Sequence, residues 1–521
     1  MSYTPKTPIV QKLVDYFTEN PEFKTAFEQS FLMAYATGIK EFQTFNIHSV
    51  DDYLRYMDDY VHWIPTEDIS GTNVYNHICM FYFILDLPPV RDHQNPIDPS
   101  AHSPWRWLSQ WLIDYAQEMG KWMNTTESIN EGTIKTFAAS PAYRDTPETD
   151  FYDQYPPPVP DGWTTFNEFF ARHINPLFRP IADLTDTTAI VSPADCTFDG
   201  VWPVNEDPAD VTTFDVKGVP WSISQLLDDE ASGTYFGPLF AGGTFTHSFL
   251  NTTDYHRQHA PVAGRIVEAK VIPGLCYLEV VLKAVDGKSP DSSQPRLGMH
   301  RPMIPKANDP TIIPHRAAVR AHRAQSANLD AEPAPSTELV PDAPDSPGYQ
   351  FIQARGMILI ESAIGLVAVL PIGMAQVSSV VLSVKKDDYV EKGQELSCFQ
   401  LGGSDIVMVF QKDAKVQLDQ EKDTHYKFGS RIGTGQPVPK QTVCADDKAR
   451  ATLRFNGCQI AGFVVFPWMI YATNAMRQGE SGMRLNRVHV YPSAQSQSVD
   501  SPSSSFLYAT RALLAPSHAQ L

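Results

Sequence analysis

Apolar residues recur at helical spacing from residue 8 to about 138, as in Val10, Leu13, Val14 and Phe17 and again in Trp105, Trp107, Leu108, Trp111, Leu112 and Tyr115. Steps of three and four put them on one face, which predicts a helical N-terminal domain over 1–138 whose Trp and Met stripes are core faces. Residues 139–162 (ASPAYRDTPETDFYDQYPPPVPDG) are rich in Pro, Asp and Tyr and show no period, which predicts a linker stiffened in polyproline II conformation. Thr165 and Glu168 then stand in capping-box spacing before Phe169 and Phe170, so one short helix is expected, ending near Pro176.

Beyond that helix the pattern changes to short β-branched or aromatic runs punctuated by Gly and Pro, among them AIVSPADCTFDGVW, GGTFTHSFL, GRIVEAKVI, GMILIESAIGLVAVLPIG and DIVMVFQ. The fold class is therefore α+β: a helical N-terminal region followed by an antiparallel β barrel or sandwich-like domain over 163–440. Within it, DDYVEKGQELSCF predicts a tight hairpin around Gly393. Residues 286–348 are rich in Pro, Ser and Ala, basic from Arg296 to Arg323 and acidic from Asp330 to Asp345, and are expected to form a disordered insertion between two strands. Residues 441–521 form a C-terminal extension to which the pattern assigns no role.

Composition narrows the partners. The 521 residues carry 41 Lys+Arg against 60 Asp+Glu, a net charge of −19, which disfavours nucleic acid or an anionic membrane. Six cysteines without CxxC spacing argue against a disulfide framework or zinc knuckle and fit a reducing, cytoplasmic setting. The first twenty residues lack the basic and apolar regions of an export signal. The late apolar run from Ile460 to Ala472 contains Pro467 and falls short of the roughly 20 residues a membrane helix needs, so no span is predicted.

Three stretches in the β region can carry chemistry. In SPADC (192–196), Asp195 follows an apolar strand at a turn, where an Asx-turn residue is equally at home. In NTTDYHRQHAPVAGRI (251–266), His256 and His259 stand three apart without a third ligand cluster, so no metal is expected. In FQLGGSDIVMVF (399–410), Gly403 precedes Ser404 at the entry to an apolar strand. That pair reads as a glycine bulge, or as a site where the unhindered Gly403 lets the Ser404 hydroxyl reach the preceding carbonyl.

Taken in order, FNEFFARHINPLFRPI (166–181), SPADC, DYHRQHAPVAG (254–264) and LGGSD (401–405) resemble the phosphatidylserine decarboxylase family of pyruvoyl-dependent enzymes. The helical front region and FIQARGMILIESAIGLVAVLPIGMAQV look similar to the fungal branch that includes an L-tryptophan decarboxylase. The resemblance implies self-cleavage between Gly403 and Ser404, with His259 as base, Asp195 holding its imidazole in the right tautomer, and Ser404 converted to a covalent pyruvoyl cofactor. It implies a large and a small chain from one precursor, with His256 orienting the substrate carboxylate or reprotonating the product.

The implied reaction is decarboxylation of a small-molecule L-amino acid, aromatic in the fungal branch, to its amine and CO2. Two alternatives stay open: a phosphatidylserine decarboxylase with a membrane lipid as substrate, and an unprocessed relative acting as a binding module. The second rests on Asp405, which stands where the family commonly has Thr or Ser. A carboxylate beside Ser404 is expected to disfavour the oxyanion of the acyl shift unless a cation or hydrogen bonds offset it. Cys196 likewise replaces the turn glycine of the family's PADG.

Overall fold

The computed structural model describes residues 3–97, 104–206, 213–216, 219–227, 235–283, 295–299, 312–313, 348–375, 379–401 and 404–439. The N-terminal region is helical, as its periodicity predicts. It contains α1 (Pro8–Glu19), α2 (Pro21–Tyr35), α3 (Glu41–Thr44), α4 (Val50–Val61), α5 (Asn73–Leu85), α6 (Trp107–Met123) and α7 (Glu131–Ala139), followed by the one-turn helices α8 (Phe151–Gln154) and α9 (Phe166–Phe170). Helix α1 starts where Thr7 accepts a hydrogen bond from the amide of Val10 and Pro8 takes a position that needs no donor. It buries Ile9, Val10, Leu13 and Phe17. Helix α9 starts on Thr165, whose hydroxyl accepts from Glu168 N as the spacing predicts. Among the described residues no helix is long and apolar enough to cross a membrane.

The β region opens with β1 (Ala189–Val191), β2 (Cys196–Pro203), β3 (Thr213–Val216), β4 (Val219–Ser222), the short helix α10 (Ile223–Leu227), β5 (Thr244–Leu250), β6 (Arg257–His259) and β7 (Gly264–Ile272). It continues with β8 (Val280–Lys283), β9 (Arg296–Met299), β10 (Ile312–Ile313), β11 (Arg355–Ser362), β12 (Gly365–Gly373), β13 (Val380–Leu382) and β14 (Tyr389–Val390). It ends with β15 (Glu395–Phe399), β16 (Ser404–Phe410), β17 (Gln417–Leu418), β18 (His425–Tyr426) and β19 (Arg431–Thr434). The main sheet is antiparallel with strand order β14-β7-β11-β12-β16-β5-β2-β18, accompanied by smaller sheets such as β13-β15-β6. Its two outermost strands do not pair with each other, so the architecture is sandwich-like and the barrel alternative is not realised.

The sheet is apolar on both faces. Along β16 the side chains of Ile406, Met408 and Phe410 enter a core continuous with the helices, while Val407 and Val409 enter a second core with Trp221, Leu226, Phe245 and Phe351. The two-residue alternation of a strand produces this division. Helix α5 lies between helices and sheet, which is why nearly all its circumference is buried. Its neighbour Asp86 accepts from Tyr277 Oη at 2.5 Å and from Val280 N at 3.0 Å, tying the helical layer to β8.

Two expectations are corrected. The segment 139–162 is not a free polyproline linker, because Tyr143, Phe151 and Tyr155 are buried. The Arg172 guanidinium lies 4.2 Å from the Tyr155 ring centroid and 5.5 Å from that of Tyr143, and these cation–π contacts fasten the segment down. Inside 286–348, Arg296–Met299 and Ile312–Ile313 are strands paired on either side of β8, so those parts are ordered by backbone hydrogen bonding. The rest of that insertion up to residue 347, together with 441–521, lies outside the described residues.

Candidate active site

Ser404 opens β16 between Gly373 of β12 and Leu250 of β5. It is fully buried, its Oγ has no hydrogen-bond partner among the described residues, and alternation turns it toward the helical layer with Ile406 and Met408. An unpartnered buried hydroxyl is costly and marks either strain or a function. Gly402 and Gly403, the donor side of the expected cleavage, lie outside the described residues. Leu401 is fixed by donation from its amide to Asn167 Oδ1 of α9 at 3.3 Å. A small pocket lined by Met119, Met123, Asn167, Ser379, Gln400 and Leu401 opens beside this approach to Ser404.

His256 and His259 flank β6 in unlike surroundings. His256 is fully buried with its ring stacked on Phe170 at 4.0 Å, and among the described residues neither ring nitrogen makes a well-formed hydrogen bond, the backbone of Asn251 interacting with it more loosely. Burial pushes its pKa well below the ordinary value, so the ring is neutral. Its carbonyl accepts from Phe399 N at 2.9 Å, placing it at the end of the strand that leads to Ser404. His259 lies face to face with Phe428 at 3.7 Å, and burial brings its pKa down to about 4. Its Nδ1 is 2.9 Å from the Gly393 carbonyl and its Nε2 is 3.3 Å from Tyr255 Oη. A carbonyl can only accept, so the proton sits on Nδ1 and the basic lone pair on Nε2.

That geometry corrects the assignment of the tautomer-holding role to Asp195. The Asp195 carboxylate is instead gripped by Arg179, whose Nε lies 3.0 and 3.2 Å from its oxygens and whose Nη2 lies 2.5 Å from Oδ2. Arg179 also holds Asp145 through Nη1 at 2.6 Å and Nη2 at 2.9 Å, a doubly bidentate arrangement suited to a planar guanidinium. Asp195 further accepts from Phe428 N at 2.9 Å, and so fixes the ring on which His259 lies. Its negative charge favours protonation of His259 through space. Asp195 and His259 thus adjoin one aromatic ring, and Gly393, at a φ of 80°, supplies the orienting carbonyl from the predicted turn.

Asp405 has an offsetting partner of the kind anticipated. Next to Ser404 in sequence, it lies on the opposite face of the sheet, fully buried, with its Oδ1 3.1 Å from His247 Nε2. The other nitrogen of His247 is 3.2 Å from Asp199 Oδ2. Burial works against a charged His247, but the hydrogen bonds to the two carboxylates outweigh it and push the pKa up to about 9. At neutral pH the imidazolium neutralises the carboxylate that was expected to oppose the acyl shift. Sequence reasoning missed His247, Asp199, Tyr255, Phe428 and the Gly393 carbonyl. Arg179 was visible only as part of the RPI string.

The family model for phosphatidylserine decarboxylase matches residues 166–434. The decarboxylase iboD of Amanita muscaria is 26% identical over 278 residues, covering 52% of this chain and 66% of that protein. The L-tryptophan decarboxylase of Psilocybe cubensis is 25% identical over 262 residues, covering 49% of this chain and 48% of the relative. A phosphatidylserine decarboxylase proenzyme of Saccharophagus degradans is 38% identical over 119 residues, covering 22% and 38% respectively. Each match spans less than two thirds of the relative's own length.

Proposed function

Because this chain belongs to the phosphatidylserine decarboxylase family, we propose that it is a self-processing, pyruvoyl-dependent decarboxylase cleaved between Gly403 and Ser404, acting on a free aromatic L-amino acid. The observation that carries this reading is the buried, unpartnered Ser404 hydroxyl at the head of β16. In this reading the Ser404 oxygen bonds to the Gly403 carbonyl carbon as the amide C–N bond breaks. Neutral His259 takes the hydroxyl proton, and the charge of Asp195 stabilises the resulting imidazolium. Loss of the Ser404 α-proton expels the Gly403 carboxylate. Water then replaces the nitrogen of the remaining dehydroalanine, which leaves as ammonia.

The small chain beginning at residue 404 stays in place after cleavage, because β16 is hydrogen-bonded on both edges to β12 and β5 of the large chain. The new carbonyl group supplies an electron acceptor for loss of CO2 from a bound amine. His256 presents a neutral, buried ring whose nitrogens make no well-formed hydrogen bond among the described residues. It can donate a hydrogen bond to the substrate carboxylate without adding a cation that would hold the charge there, and can return a proton afterwards. An aromatic amino acid is favoured by the relatives named L-tryptophan decarboxylase.

The test combines intact mass with turnover. Wild-type protein is expected as two chains and Ser404→Ala as one, with amine released from tryptophan, tyrosine or phenylalanine by the wild type alone. Turnover of phosphatidylserine liposomes without any free amino acid would replace the substrate reading with the lipid one, which the bacterial relatives support. A single full-length chain in folded wild-type protein would overturn the enzymatic reading.

A further inference from the structure

The residue after the scissile serine is a buried carboxylate, and its surroundings form a second polar assembly on the far face of the sheet. In β5, Phe245 faces the core behind the sheet, and alternation sends His247 the same way. On β16, Asp405 points to that face two residues along from the partner of His247, since Val407 pairs directly with His247 and Asp405 with Phe249. Diagonal neighbours on one face are close enough for long side chains to meet. The third member comes from an irregularity. The β2–β5 register shifts between Phe198, opposite Ser248, and Gly200, opposite His247, leaving Asp199 as the extra residue. A bulge re-aims its side chain, and here it directs Asp199 at His247 Nδ1.

The charged groups facing His247 are therefore Asp199 from β2 and Asp405 from β16. Lys422 lies 3.8 Å from the other oxygen of Asp199, and the Phe351 ring stands at 82° to the imidazole with centroids 6.3 Å apart. His247 and Asp405 are both essentially inaccessible, at 1% and 0% side-chain exposure, so water cannot stand in for either partner. The far end of this chain of contacts is the residue covalently joined to Ser404.

Resting on the self-cleavage reading, we propose that the Asp199–His247–Asp405 assembly offsets the carboxylate that follows the cleavage point. His247, held between Asp199 and Asp405, cancels the charge of Asp405, so that the Ser404 hydroxyl on the opposite face can attack the Gly403 carbonyl. His247 touches none of the reacting atoms; it acts through Asp405. Without it, the buried Asp405 carboxylate beside the cleavage point loses its imidazolium partner.

The test follows conversion of newly translated full-length chain into two chains by denaturing gel and intact mass. Wild type, His247→Leu, Asp405→Thr, Asp405→Asn and the Asp405→Thr/His247→Leu double variant are compared, with near-ultraviolet circular dichroism as the check on folding. The expected results are at least about tenfold slower cleavage in His247→Leu and near wild-type cleavage in Asp405→Thr. The double variant should recover, because removing the carboxylate removes the need for its partner.

Should His247→Leu fail to fold, the pH profile decides. Wild-type cleavage should fall as His247 loses its proton near pH 9. In Asp405→Asn that limb should disappear, since with no carboxylate at 405 cleavage no longer needs the His247 proton. Wild-type cleavage speed in folded His247→Leu, a double variant no faster than the single, or an alkaline limb that persists in Asp405→Asn would overturn the proposal alone. An uncleaved wild type would overturn the self-cleavage reading and this proposal with it.

Discussion

Replacing Arg179 by methionine tests whether Asp195 is held as the geometry indicates. The guanidinium is 2% exposed and makes close contacts to Asp195 and Asp145, whose side chains are 5% and 13% exposed. Burial alone would disfavour its charge, yet the two carboxylates raise its pKa above the ordinary value. Asp145 keeps a second cation in Lys427 at 2.6 Å. Asp195 keeps only its hydrogen bond from Phe428 N among the described side-chain contacts. Breaking a buried pair from one side costs about 3–5 kcal/mol, because a charge is left in the interior. Unfolding entropy of about 2.1 cal/mol/K per residue, over a folded unit of roughly 400 residues, turns that into a melting shift of about 4–6 °C.

The assay is thermal unfolding of the full chain followed by circular dichroism, with the Arg179→Met/Asp195→Asn pair as comparison. The double variant should be more stable than Arg179→Met, since neither charge remains. A single variant that melts within 1 °C of wild type, or a double variant less stable than the single, would refute the reasoning.

Other expectations follow from the same geometry. Gly393→Ala places a Cβ 2.4 Å from Ile181 Cδ1 on a backbone with φ of 80°, so it should cost about 1–3 kcal/mol in denaturant titration and slow cleavage by displacing the carbonyl that orients His259. His259 has a folded pKa of about 4, below its ordinary value, so its contribution to stability is complete above pH 6.5 and is lost as pH falls toward 4. Melting curves of wild type and His259→Gln between pH 4 and 7 should converge on the acid side. His247 has the opposite sign: its pKa is raised to about 9, so its contribution is full below pH 6.5 and disappears as pH rises through 9. Scans of His247→Gln against wild type should show the gap closing in that alkaline window. His256→Ala should still cleave but lose about 10² to 10⁴ in amine formation, measured by product chromatography.

The sequence made local features visible and left most long-range partnerships hidden. Helix α1 could be read because Thr7, Pro8 and the Val10, Leu13, Phe17 stripe lie within one short segment. Asp195, His256, His259 and Ser404 could be singled out because each sits in a compact string. What each side chain meets depends on strands far apart in the chain: Gly393 reaches His259 across 134 residues, and Asp405 reaches His247 across 158. No spacing rule announces a backbone carbonyl as the partner of an imidazole. The misread linker contained a usable signal. Tyr143, Phe151 and Tyr155 are large apolar surfaces, and aromatic residues recurring within a Pro-rich stretch indicate packing more than exposure. The open sheet was not legible as such, because the end strands β14 and β18 are only two residues long.

The sheet's burial on both faces explains how one chain can carry a carboxylate beside the proposed nucleophile. On a sheet with one wet face, Asp405 would be hydrated and its charge screened, and no partner would be required. Here both neighbours of β16 are hydrogen-bonded to it and both its faces are dry, so alternation separates Ser404 from Asp405 but offers neither any water. The two faces then need opposite solutions. Toward the helices, burial keeps His256 and His259 neutral, which leaves a lone pair for taking a proton in the proposed cleavage. Behind the sheet, the same burial makes a lone carboxylate intolerable, and His247 is charged because two carboxylates converge on it. Three histidines of one short region, 247–259, are thus divided between basic and cationic forms by which acids reach them. Placing an acid beside His256 or removing one beside His247 should exchange those forms.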